Sequence, residues 1–190
     1  TEAGFAVNTL VERSAMIGVT ETDLPRGASS RWERGPALRL RMGSGNLTSA
    51  EELSVLAGSN AIAIGDGSPD NWEVIQFQDA ALVAPATFEI ATRLRGQLGT
   101  DGVMPDLWPA GSLVVVLNSA LRQIVLPQSA RGLVRNYRIG DATRGYDSPG
   151  VIAKSEAFDG IGLRPYSVCH LRKTGSAGVD VGLSWIRRTR

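Results

Sequence analysis

Apolar positions recur along this chain with a period of two rather than 3.6, and that spacing predicts strands. The cleanest case is residues 37–42, where Leu38, Leu40 and Met42 share one face and Arg39 and Arg41 take the other. Such a strand has one buried and one wet face. Residues 17–20 (Ile-Gly-Val-Thr) form a short β-prone run, and Asn60 to Gly65 another. The dense turn signal Asp66-Gly67-Ser68-Pro69-Asp70-Asn71 predicts a hairpin between residues 60–65 and residues 72–83. In 72–83 both parities carry apolar groups, as in a strand contacted on both sides. Ala84-Pro85 interrupts it, and residues 87–94 follow with Phe88, Ile90 and Thr92 on one face. Residues 113–117 read as the most buried strand, paired in a second hairpin with 121–126. Residues 132–139 alternate as the last strand of the domain. One stretch departs from period two. Thr48 or Ser49 can cap a short helix running to Leu56, with Glu51 and Glu52 in its first turn and Gly58 as its stop.

These elements predict a mostly β chain, a barrel or sandwich with one short helix. Four segments are expected: residues 1–30, a β segment completing an upstream domain; 31–140, the barrel or sandwich; 141–166, an irregular linker rich in Gly, Asp, Ser and Pro; and 167–190, the start of another β module. Thr1 opens in mid-pattern, and residues 184–190 end as a strand with nothing after them to pair with. A segment of a longer polypeptide is therefore expected.

Composition narrows the function classes. Apolar residues make up 43% of the 190 residues, enough for a packed core. The net charge of +1 gives no electrostatic footprint for nucleic acid. A single cysteine, Cys169, excludes an internal disulfide and a CxxC metal site. No apolar run approaches the roughly 20 residues of a membrane-spanning helix.

Candidate chemistry is sparse. His170 is the only histidine, and its neighbour Cys169 points to the opposite face of a strand, so the two make no nucleophile–base pair. Residues 66–71 lack the ligand spacing and terminal Glu of a calcium loop and read as a hairpin turn. The glycine pairs at 43–45 and 65–67 lack the remainder of a nucleotide-binding loop. Glu73, Asp79 and Glu89 lie on or near strands without the aromatic-lined cleft that glycosidase carboxylates use. No enzyme activity, cofactor or metal is expected. Arg131, Arg135 and Arg138 recur later in the chain. Arg93 and Arg95 flank Leu94 at a strand end, where with Gly96 and Thr100 they are candidates for clamping the following loop or facing a neighbouring subunit's carboxylates.

The segment Trp72 to Thr100, WEVIQFQDAALVAPATFEIATRLRGQLGT, resembles the recurring "EVIQF…LV.P.TFE…RLLRGQ.GT" block of the large tail-tip protein of phages and gene transfer agents, the megatron family. The resemblance runs from about Trp32 to Ile139. It implies a baseplate-hub β domain in a tail-tip protein that assembles as a homotrimer around the tail axis. It also implies contacts with other baseplate and distal tail proteins and with the host cell envelope, DNA passing only as cargo, and a place in the particle's tail. In the family, "LRPYSPVHL" introduces a fibronectin type III-like module, whose second strand "LSWIRRTR" resembles. This chain has Ser167-Val168-Cys169 in place of Ser-Pro-Val. The alternative class is a carbohydrate-binding or envelope-degrading β domain, which a cleft lined by Trp and carboxylates would favour.

Overall fold

The computed structural model describes residues 4–29, 31–163, 168–175, 178 and 180–186. Its strands in chain order are β1 (Ile17–Thr20), β2 (Leu24–Pro25), β3 (Trp32–Glu33), β4 (Leu38–Met42), β5 (Ala61–Gly65), β6 (Trp72–Ala84), β7 (Thr87–Gln97), β8 (Leu107–Trp108), β9 (Leu113–Val116), β10 (Val134–Ile139), β11 (Ile152–Ala157), β12 (Cys169–Thr174) and β13 (Gly182–Ile186). The one α-helix among the described residues is α1 (Glu52–Leu56). Six strands close an antiparallel barrel in the order β7-β4-β1-β9-β5-β6, with β6 pairing back to β7. The two-residue β3 extends this sheet along β7 beyond the end of β4.

The interior follows from the alternation. Leu38, Leu40 and Met42 of β4 are buried, while Arg39 and Arg41 point out. Ile62, Ile64, Ile75, Phe77, Phe88, Ile90 and Val114 complete one core with Leu24 and Trp108. Both parities of β6 are buried from Glu73 to Phe77. Beyond Phe77 the hairpin emerges, and its tip from Ala81 to Ala86 is exposed. Ala86 makes the turn at φ 56°.

The structure redraws several boundaries. Residues 17–20, expected outside the hub-like domain, are a full stave between β4 and β9. No strand forms at 121–126. β9 instead pairs on both edges, with β1 and with β5, which leaves it no free edge for 121–126. β9 is also less buried than its valines suggest, with Leu113 42% exposed, because a barrel wall buries only alternate residues. β10 does not end the barrel. It pairs with β11, which lies inside the expected irregular linker, and the two form a separate ribbon. β12 and β13 form another ribbon, with Trp185 at 55% exposure. Residues 164–167 of the expected module entry, and Thr1, lie outside the described residues. α1 has no side-chain cap. The Ser49 hydroxyl instead bonds the backbone of Ala80 in both directions, at 3.0 and 3.3 Å.

Gly18 shows how tightly the wall is drawn. A Cβ there would lie 2.5 Å from the Arg41 carbonyl oxygen and 2.8 Å from the Met42 sulfur. Gly18→Ala is expected to destabilise the barrel by about 1–3 kcal/mol through overpacking. Denaturant unfolding checks this, and an unchanged midpoint would show that the wall gives way.

Candidate functional site

β7 carries the feature that distinguishes this barrel. Phe88 and Ile90 are buried, and so are Arg93 and Arg95, although strict alternation would put the two pairs on opposite faces. Thr92, between them, sits at φ 49°. The burial pattern changes parity across it, and the arginines turn inward. Thr92 therefore does not continue the Phe88–Ile90 face as expected.

Arg95 meets Glu73 of β6, and both side chains have no exposed surface. Arg95 Nε donates to Glu73 Oε1 at 2.8 Å and Nη2 donates to Oε2 at 2.9 Å. The Gly96 amide adds a bond to Oε1 at 3.0 Å, and the Trp108 indole N–H one to Oε2 at 2.8 Å. The carboxylate thus accepts four hydrogen bonds, two from one planar guanidinium. The third guanidinium nitrogen, Nη1, donates to the Pro25 carbonyl at 2.9 Å and lies 3.4 Å from both Glu33 oxygens. Arg93 Nε donates to Glu33 at 2.9 Å, and its other two nitrogens donate to the carbonyls of Ile90 and Pro36. Burial opposes the charge on Arg95. The hydrogen bond and charge of Glu73, followed by those of Glu33, outweigh it and hold the pKa above its ordinary value.

The loop after β7 is tied in beside the cluster. Thr100 Oγ1 accepts from the Val74 amide at 2.9 Å and donates to the Gln97 carbonyl at 2.7 Å. Gly96 takes φ 59°, and a Cβ on it would lie 2.7 Å from that of Asp101. Arg93, Arg95, Gly96 and Thr100 are therefore buried together, with their hydrogen bonds directed into the chain's own fold. Glu33 and Trp108 were not singled out from the sequence, and Glu73 was weighed only as an acid for catalysis. One signal was present: Glu73 shares parity with Ile75 and Phe77, so a charge at an interior position required a cation opposite it.

The remaining candidates lie apart. Glu89 pairs with Arg39 across the outer wall at 2.7 Å, and Asp79 is exposed. Arg131 donates to the Asp159 carbonyl, while Arg138 lies over Phe5 and faces Asp147. His170 is exposed. A groove of about 380 Å³ is lined by Gly65, Asp66, Asn71, Trp108, Pro109 and Leu113 among others. Its Asp66 belongs to the β5–β6 turn, accepting from Asn71 at 2.7 Å and from the Ser68 amide at 2.9 Å. Among the described residues no three His, Cys, Asp or Glu converge as a metal site.

The chain forms a closed antiparallel barrel with a hydrogen-bonded ion cluster buried inside it. The model of the family described as Rcc01698-like, C-terminal, matches residues 15–115, more than half of the chain and all of the barrel except Val116. The chain belongs to this family, whose name links it to gene transfer agent proteins. No curated protein matches it.

Removing one side of the buried pair leaves the other charge uncompensated. Arg95→Met is expected to cost about 3–5 kcal/mol of unfolding free energy, and the double change Arg95→Met with Glu73→Leu should recover much of it. A loss below about 1 kcal/mol in the single variant would rule out this role for the pair. Asp66 gives a pH test. The Asn71 side chain, then the Ser68 bonds, lower its pKa from 3.8 to about 2. Since the folded value is the lower one, the turn's contribution is present above about pH 4 and fades as pH falls towards 2. Asn71→Ala should move the Asp66 titration, followed by NMR, back towards its ordinary value. An unmoved titration would contradict the assignment.

Proposed function

We propose that this chain is a structural, non-enzymatic module of the tail tip or baseplate of a gene transfer agent particle, acting by docking to other proteins. The supporting observation is the apolar surface on the two-stranded ribbons outside the barrel. Val134 is 69% exposed and Ile152 58% on one ribbon, and Leu183 is 58% exposed on the other. Two-stranded ribbons are marginal alone, and apolar groups on them are expected to find cover in an assembly. The barrel offers a second such region. Residues 80–88, at the emerging β6–β7 hairpin, contain no charged side chain, and Leu82 is 66% exposed. In this reading three copies surround the tail axis and contact other baseplate and distal tail proteins and the host envelope. DNA passes as cargo.

Electron microscopy of intact particles tests the proposal. The expected result is density for the barrel at the tail tip, repeated about the tail axis. Its absence from particles would refute the reading. So would glycan cleavage by the isolated chain that is lost on changing a single carboxylate.

A further inference from the structure

We propose that the groove formed by residues 26–35 is a binding site for a single phosphate monoester, held by Arg31 and Arg34 with Arg26 beside them. The groove measures about 410 Å³, a volume suited to a small molecule. Arg26, Arg31 and Arg34 line it together with Trp32 and Glu33.

The charge there runs against that of its surroundings. Residues 15–115 hold seven arginines, no lysine and twelve acids, so five negative charges net. Arg39, Arg41, Arg93 and Arg95 each pair with a glutamate, and Arg26 lies 3.7 Å from the Asp106 carboxylate. Arg31 and Arg34 are exposed, meet no acid among the described residues, and line the same groove.

The one acid on that groove is already answered. Glu33 accepts from Arg93 Nε at 2.9 Å and lies 3.4 Å from Arg95 Nη1 through both oxygens. With Glu73 the cluster holds two anions and two cations, which leaves the charges of Arg31 and Arg34 over. Gly27 seats the groove on this cluster, since a Cβ there would lie 2.8 Å from Glu33 Oε1 and 3.0 Å from Arg95 Nη1. Arg26 is held as well: its amide donates to the Asp106 carbonyl at 2.9 Å, and Nη1 donates to the Met104 carbonyl at 2.6 Å.

Two spare guanidinium charges match one dianion. A phosphate monoester carries about −1.5 to −2 charges at pH 7 on three acceptor oxygens, and a guanidinium fork can meet it with two bonds. A single carboxylate would leave one arginine over. A nucleic-acid strand needs a basic track several phosphates long, and the negative barrel opposes one beyond the groove. Trp32, the one aromatic residue on the groove, gives an apolar wall for whatever carries the phosphate.

This site goes beyond the tail-tip reading and is measured on the free chain. Glucose-6-phosphate should bind saturably with a Kd on the order of 1 mM or tighter, shifting the Trp32 indole N–H signal in NMR, and glucose should not. Arg31→Gln and Arg34→Gln should each weaken binding by ~10-fold, and the double variant should lose it. Circular dichroism confirms that each variant is folded. Affinity should fall several-fold between about pH 7.5 and about pH 5.5, as the phosphate loses its second charge. Vesicles containing phosphatidic acid separate the sources. Co-sedimentation that the double variant loses assigns the phosphate to a lipid headgroup, and glucose-6-phosphate binding without co-sedimentation assigns it to a sugar. Failure of both probes to bind would overturn the proposal, as would undiminished binding by the folded double variant. A thymidine oligonucleotide bound more tightly than either probe would replace the single-group site with a strand-binding surface. None of these outcomes bears on whether particles contain the barrel.

Discussion

Glu73 carries a full charge into the barrel interior, and the arrangement around it follows from that. A buried carboxylate is tolerated only when its lone pairs are met. Here they are met by donors from β7, from the backbone at the β7 bend and from β8. The cation that answers it has a nitrogen to spare, which reaches the carbonyl at the end of β2. Glu33 on β3 then bridges Arg95 to Arg93. Two strands of two residues each, β2 and β8, are too short to hold themselves, yet they pair across this end of the barrel. The ion cluster fixes them there, and Leu24 and Trp108 cover the core as a result.

Most of the barrel was legible because its staves alternate cleanly. β4 is the plain case, and the β5–β6 hairpin was announced by its turn. Legibility failed where alternation ceased to mean burial. β11 reads Ile-Ala-Lys-Ser-Glu-Ala, and with small and charged residues at most positions it resembles a linker. Residues 121–126 look strand-like, but the neighbour they needed was already taken by β1 and β5. β7 hid its geometry in one residue, since nothing about a threonine announces a positive φ. For the site, the Trp72–Thr100 block pointed at both arginines. Their acid was visible too, but Trp108, which donates to it, lies 35 residues further on, and Glu33, which shares the arginines with it, lies far upstream on β3. No local pattern connects such distances.

The chain divides its labour between a barrel that satisfies itself and ribbons that do not. Inside the barrel the buried polar side chains of the ion cluster and the Thr100 tie are bonded internally. On β10–β11 and β12–β13 apolar side chains remain open to solvent. The family match, residues 15–115, falls on the barrel and leaves the ribbons outside it.

The barrel's first and last staves, β1 and β9, are neighbours, and the Val116 amide bonds the Met16 carbonyl at 2.9 Å. Entry and exit of the unit therefore lie side by side. A module built this way behaves as a cassette: it can be spliced into a loop of a host protein without separating the ends it is spliced between. The same adjacency makes its limits sharp. Trimming either stave would open two edges in a closed wall, and the family's match over residues 15–115 runs from just before β1 into β9.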